Sequence, residues 1–406
     1  MKMMKKPWST LGEGGRQALV LVGVNGVFWF AWAFGCYQTV YLQSVGFSAS
    51  TLGVLNAISS AVGIASVTFW GMVSDRTGSL RRVLTMVLAG GALLYAGIPL
   101  IPTSLKLSHL LLLCLVPAIN FFRASMSPYA ENLLVRNCNE LRLNFGALRS
   151  MGSFLFTVGS LIIAAWLPSL GVANTFWVTG LFMIIPIAFT QLAREPNALP
   201  VRREGGKKEK GSLALGELFQ NRAYMVFLGF GFLFYIAAAC EGNFITYFME
   251  SIGVSAERYG VILAYRALLE IPFLLLMVRL RKRFSLKLMI MGSAVLMAVE
   301  GLGFGFFAHS LPTMLLFCTF FGLGNGLFLG SSLNYVYELA PANLKASAQA
   351  FFTSVASVAG ILGNLLGGVL FDAIGAKPFY LTVSGLYLLS FGVFALSSIN
   401  RKKAEG

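Results

Sequence analysis

Twelve stretches of predominantly apolar residues follow one another along this chain, at about 17–43, 51–74, 83–103, 107–134, 145–168, 173–193, 223–249, 258–278, 286–308, 312–337, 346–371 and 377–398. Each has about the 20 residues that an α-helix needs to cross a hydrocarbon layer about 30 Å thick. The polar segments between them are too short to build a soluble domain. Only 12% of the 406 residues are charged, against about 25% in a water-soluble domain. Disorder is excluded on the same ground, because a disordered chain is poor in apolar residues and rich in charge. The expected fold class is an all-α membrane protein with twelve transmembrane helices, and its solvent is a lipid bilayer.

The net charge of +15 points to nucleic acid only where basic residues interleave with aromatic ones on a soluble face. Here they sit between apolar runs, so no nucleic-acid partner is expected. Of the five cysteines, Cys36, Cys114, Cys240 and Cys318 lie inside apolar stretches and none forms a C-x-x-C pair. Neither a disulfide framework nor a metal site follows, and no cofactor is expected. The first apolar run is longer than a signal-peptide core and lacks a clear cleavage site, so it reads as an uncleaved span.

Residues 194–222 interrupt the pattern with Pro196, Pro200, a Gly-Gly pair and the run KKEK, the composition of a solvated linker. They divide the chain into an N-terminal six-helix bundle (1–193) and a C-terminal one (223–406). Alternate loops hold 25 of the 31 basic residues; the opposite loops hold Lys106, Arg258 and Lys377, and Arg123, Arg149 and Arg266 stand inside spans. The positive-inside rule then places both termini in the cytoplasm and the chain in the plasma (inner) membrane. YLQSVGFSASTLGV at 41–54 repeats as YFMESIGVSAERYGV at 247–261, with Gly46, Ser48, Ala49 and Gly53 matching Gly253, Ser255, Ala256 and Gly260 at an offset of 207. Two matching halves imply bundles related by a pseudo-two-fold axis, with a solute site between them.

Between the second and third runs stands GMVSDRTGSLRR, with Gly71, Asp75, Arg76, Gly78, Arg81 and Arg82. This resembles the signature loop of the major facilitator superfamily, with Ser79 in place of a basic residue. Gly71 is expected to permit close helix approach and Gly78 a tight turn, while Asp75 can meet a helix N-terminus or an arginine. Together they would latch one conformation. The plainer reading is a basic cytoplasmic turn. The counterpart VRLRKRFSLK lacks the aspartate, so any latch is asymmetric.

A narrower resemblance lies in SPYAENLLVRN and LNFGALRSMGSFLF, and again in PANLKASAQAFF. These are similar to the oligosaccharide and phenylpropionate proton symporter branch that includes the lactose permease. In that branch a glutamate and an arginine 18 positions apart recognise the sugar, the spacing of Glu131 and Arg149 here. A guanidinium facing a carboxylate suits hydroxyls or a substrate carboxylate. The alternative is a structural ion pair. Where the branch carries a tryptophan to stack on the sugar, this chain has Phe156. Arg123, Asn120, Tyr37 and Asn243 are further candidates for lining the site.

Ionisable residues inside apolar spans are costly and therefore functional candidates. Glu270 follows Arg266 by four residues, so the two are expected to pair on one helix face. With Glu241 and Glu300 they are the candidates for proton coupling; the alternative is a self-satisfied structural pair. The branch's histidine and glutamate in span 10 are absent, and His109 and His309 lie near span ends, which disfavours a histidine relay. The glycines of spans 10 and 11, among them Gly322, Gly324, Gly363, Gly367 and Gly368, are read as packing surfaces. The resemblance implies a monomeric secondary transporter, a proton-coupled importer of a small polar organic solute, with a sugar or glycoside first and a nucleoside or aromatic carboxylate second. Span 5 lacks the Gly-Pro-x-x-Gly-Gly element of drug/proton antiporters, which disfavours an exporter. A membrane-embedded enzyme would need catalytic groups clustered at one membrane face, and none is legible. A non-transporting receptor would show binding without flux.

Overall fold

The computed structural model describes residues 12–102, 107–196, 218–341 and 344–404, and the described elements are helices. The lysines of the N-terminal tail, Lys106 and most of the expected linker, including KKEK, lie outside the described residues. In chain order the helices are α1 (Glu13–Gly35), α2 (Gln38–Ser44), α3 (Ala49–Thr77), α4 (Leu80–Gly97), α5 (Ser108–Leu141), α6 (Phe145–Leu170) and α7 (Asn174–Leu192). Then come α8 (Arg222–Asn243), α9 (Ile245–Ser251), α10 (Tyr259–Leu280), α11 (Leu286–Phe306), α12 (Leu311–Leu339), α13 (Lys345–Ile374) and α14 (Ala376–Ala404). Among the described residues, eleven segments are long and apolar enough to cross a membrane, α1 and α2 together forming the first. The remaining expected span, 258–278, falls on α10, a 22-residue helix that carries Arg266 and Glu270.

The helix boundaries follow local chemistry. Asn144 accepts from the Ala147 amide to start α6, Asn221 from Ala223 and Tyr224 to start α8, and Ser285 from Leu288 to start α11. Each side-chain oxygen satisfies an amide that the first helical turn cannot pair. The repeat seen in the sequence has a structural counterpart. Gly46 and Gly253 both have positive φ, at 90° and 71°. Ser48 then accepts from the Thr51 amide, and Ser255 from Glu257. The helix breaks also correspond. The α1/α2 break at Tyr37 and the α8/α9 break at Phe244 involve fully buried rings 207 positions apart.

The chain divides into two compact units, Met1–Tyr41 with Ser59–Arg202 and Leu42–Ile58 with Arg203–Gly406. The first has a core of Val24, Phe28, Trp70, Leu84, Met126, Leu133 and Met183. In the second, Phe227, Phe230, Phe234, Phe328 and Phe394 interlock, with ring centroids 4.1 Å apart for the stacked pair Phe234 and Phe328. Small residues bring helices into backbone contact within each unit, as expected where lipid supplies no hydrophobic drive between helices. A Cβ at Gly159 would stand 2.9 Å from the Phe30 carbonyl oxygen, and one at Gly363 2.7 Å from that of Ile236.

The start of α3 belongs to the second unit. A Cβ at Gly53 would lie 2.4 Å from the Asn364 oxygen, and one at Gly368 would lie 2.4 Å from the Ala49 oxygen. Around this contact Asp372 accepts from the Ser50 amide at 2.7 Å and from its hydroxyl at 2.5 Å, capping α3. Tyr247 donates to the Phe47 carbonyl at 2.6 Å, and Gln43 donates to Glu250, its partner in the repeat.

Candidate functional site

Three helices of the first unit converge on two arginines. On α6, Arg149, Ser153 and Phe156 follow at spacings of four and three, which places them on one face. Arg149 donates from Nε to Glu131 Oε1 of α5 at 3.0 Å, and from Nη1 to the Ser153 hydroxyl at 3.4 Å. The two charged side chains keep 31% and 38% of their surface exposed, so protein does not seal the pair. The guanidinium carbon lies 5.1 Å from the ring centre of Trp29 on α1, and that indole meets Phe156 edge-on at 6.3 Å. One turn along α1, Trp32 covers Arg123 at 5.1 Å, and the two indoles are 6.0 Å apart. Arg123 donates from Nε to Asn120 Oδ1 at 3.1 Å, while the Asn120 amide donates to the Ser59 carbonyl at 2.5 Å.

Of the expected solute-binding residues, Glu131, Arg149, Phe156, Asn120 and Arg123 are thus joined by ion pairs, hydrogen bonds and the Trp29/Trp32 wall. Two others are not. Tyr37 is fully buried at the α1/α2 break, because that break turns its ring into the core. Asn243 ends α8 in the second unit and donates to Asn364 Oδ1 of α13 at 2.7 Å, so its amide is spent on joining helices. Trp29 and Trp32 are not among the expected solute-binding residues. Their i, i+3 spacing on a span was the available signal, but apolar spans contain such pairs for packing alone.

The second unit holds a buried charge cluster. Arg266 Nη2 of α10 donates to Glu241 Oε1 of α8 and to Glu300 Oε1 of α11, each at 2.5 Å. All three residues are at most 7% exposed, and the guanidinium stacks on Phe321 at 4.1 Å. Tyr380 fixes the backbone here by donating to the Glu241 carbonyl at 3.0 Å. The expected Arg266–Glu270 pair along α10 is therefore corrected: Glu270 accepts from Asn325 of α12 at 2.6 Å instead. Two glutamates from neighbouring helices draw the guanidinium off its own helix face.

At the expected latch, α3 ends at Thr77, Gly78 takes φ 61° and Ser79 caps α4. Only glycine adopts that turn without strain. Gly71 does not serve close packing, since nothing stands within 4 Å of a Cβ placed there. Asp75, Arg76 and Arg82 are at or near the surface. The organising residue is Glu195, inside the segment expected to be a linker. It accepts from the Ser79 hydroxyl at 2.5 Å and the Leu80 amide at 2.8 Å, and pairs with Arg81 Nε at 3.3 Å. A carboxylate at a helix N-terminus is favoured by the helix dipole.

Residues 26–382 match the MFS_1 like family. The chain belongs to that family, within the major facilitator superfamily. It is similar to the maltose permease of Geobacillus stearothermophilus, 24% identical over 369 residues that cover 88% of this chain and 89% of the permease. It is also similar to the sucrose permease of Escherichia coli, 22% identical and covering 91% of each chain. Among solved structures, that of the nucleoside transporter NupG superposes with a TM-score of 0.78 at 15% identity, covering 95% of this chain and 99% of that one. This MFS protein is a multi-pass membrane transporter of small molecules and not an enzyme. Among the described residues of the MFS transporter, no cluster of His, Cys, Asp and Glu could hold a metal ion.

Proposed function

We propose that this transporter imports a small polar organic solute with a proton, by alternating access of two six-helix halves. The Glu131–Arg149 pair under Trp29 carries this reading. A half-exposed carboxylate and guanidinium side by side can accept from and donate to hydroxyls of one solute, while Phe156 and Trp29 offer ring faces and edges to its apolar side. A sugar or glycoside fits first, in line with the maltose and sucrose permeases among the relatives. A nucleoside is the second reading, favoured by Phe156 where the sugar branch carries a larger indole and by the likeness to NupG. Asn120 and Arg123 complete the site.

Proton coupling is assigned to the Glu241–Arg266–Glu300 cluster. One guanidinium neutralises one of the two carboxylates, so in a membrane interior a proton on the other balances the charge. Glu270, held by Asn325, is the further proton-linked candidate. The Gly71–Arg82 segment, with Asp75, Arg76, Gly78 and Arg81, acts as the conformational latch. The protein works as a monomer in the plasma membrane with both termini cytoplasmic, and the halves run over 1–193 and 223–406. Substrate-induced alkalinisation outside right-side-out vesicles tests the coupling. Its absence at a saturating solute concentration rejects proton symport, and loss of solute binding in Arg149→Ala confirms the site.

A further inference from the structure

Of the three arginines inside the apolar spans, Arg149 is paired with Glu131, and Arg266 with both Glu241 and Glu300. Arg123 differs. Among the described residues no carboxylate stands within 4.0 Å of it. It donates to the Asn120 amide oxygen and lies over the face of Trp32, with the Tyr95 hydroxyl and the Cys36 thiol as uncharged neighbours. The Asn120 oxygen serves one of the five N–H donors that a guanidinium carries. The remaining donors belong to a side chain that is only half-buried. An ionised arginine without a counter-ion in a membrane span is expensive, and such groups mark solute pathways. The neighbouring pair is already neutral, so the excess positive charge at this place belongs to Arg123 alone.

Resting on the solute site assigned above, we infer that Arg123 is an anion subsite and that the transported solute carries a carboxylate beside its hydroxyl groups, as sugar acids and glycuronides do. A guanidinium grips two oxygens of one carboxylate side by side. A monoanion also matches the single uncompensated charge, whereas a dianionic phosphate would leave the site negative. Trp32 keeps the guanidinium fixed from the other side, and Asn120, itself anchored to the Ser59 carbonyl, sets its orientation.

The test uses the purified full-length protein and thermal shift with matched probes: D-galactose against D-galacturonate, D-glucose against D-glucuronate, benzyl alcohol against benzoate, and glucose 6-phosphate. At least one acid should stabilise at about tenfold lower concentration than its neutral partner, a difference of about 1.4 kcal/mol. Arg123→Gln should erase that preference and Arg123→Lys should keep part of it. Acids that gain nothing over neutral partners, or a preference that survives Arg123→Gln, overturn the inference. Stronger stabilisation by glucose 6-phosphate than by glucuronate overturns the assignment to carboxylates.

A second readout needs no ligand. Arg123→Gln should raise the melting temperature of the unliganded protein by about 2 to 4 °C, since the uncompensated charge serves a solute and not the fold. A fall in melting temperature, or failure to fold, makes Arg123 structural and overturns the proposal. The two readings fail separately. Neutral sugars that bind through Arg149 with no gain for acids sink only the anion subsite, while binding indifferent to Arg149→Ala sinks the solute site beneath it.

Discussion

At the residue scale the two charge clusters differ in exposure, and that difference sorts their roles. The Glu131–Arg149 pair is about a third exposed, so removing one member should cost the fold little and, at the proposed solute site, a ligand much. Arg149→Ala should weaken solute binding ten- to a hundredfold, about 1.5–3 kcal/mol for charge-assisted hydrogen bonds, with a melting temperature close to that of the parent. Isothermal titration and thermal unfolding on the same samples check both halves of this expectation. The Arg266 cluster behaves in the opposite way. Arg266→Ala leaves Glu241 and Glu300, at 1% and 0% exposure, without a cation and should destabilise the protein by about 3–5 kcal/mol. Restoring neutrality with the triple change Arg266→Gln, Glu241→Gln and Glu300→Gln should recover most of that loss; thermal unfolding in detergent measures it. If the single and triple variants melt alike, the cluster's charge balance is not what the fold requires.

At the scale of elements, glycine decides where helices meet. Gly53 of α3 and Gly368 of α13 put two backbones in contact, with Asp372 capping α3 beside them. Gly368→Leu should cost about 1–3 kcal/mol through overpacking, because the Ala49 carbonyl cannot yield as a side chain can. Asp372→Ala should cost about 1 kcal/mol, the worth of a helix cap. Melting temperatures of the two variants, measured against the parent, should fall in that order. The repeat was legible in the sequence, and its matched Gly46/Gly253 and Ser48/Ser255 prove to be positive-φ turns followed by capping serines. The consequence that Gln43 meets Glu250 was not legible, because contact between side chains 207 positions apart depends on how the helices pack.

At the scale of the whole molecule, the assignment of both termini to the cytoplasm follows from basic residues in alternate loops. A C-terminal green fluorescent protein fusion should be bright in bacterial cells and a C-terminal alkaline phosphatase fusion inactive; the reverse pattern overturns the orientation. The helical membrane class, the run lengths and the family were all readable from one dimension, because crossing a bilayer constrains length and polarity segment by segment and needs no partner. That Glu131 and Arg149 face each other was readable only through the resemblance to the oligosaccharide symporter branch, whose 18-residue spacing this chain shares. What only the tertiary structure decided is how charges pair across helices. Arg266 turns from Glu270 to Glu241 and Glu300, Trp29 and Trp32 come from α1 to cover two arginines, and Glu195 leaves the expected linker to cap α4. Side chains from distant spans meet through packing, and a helix of apolar residues carries in its own sequence no record of which neighbour it will face.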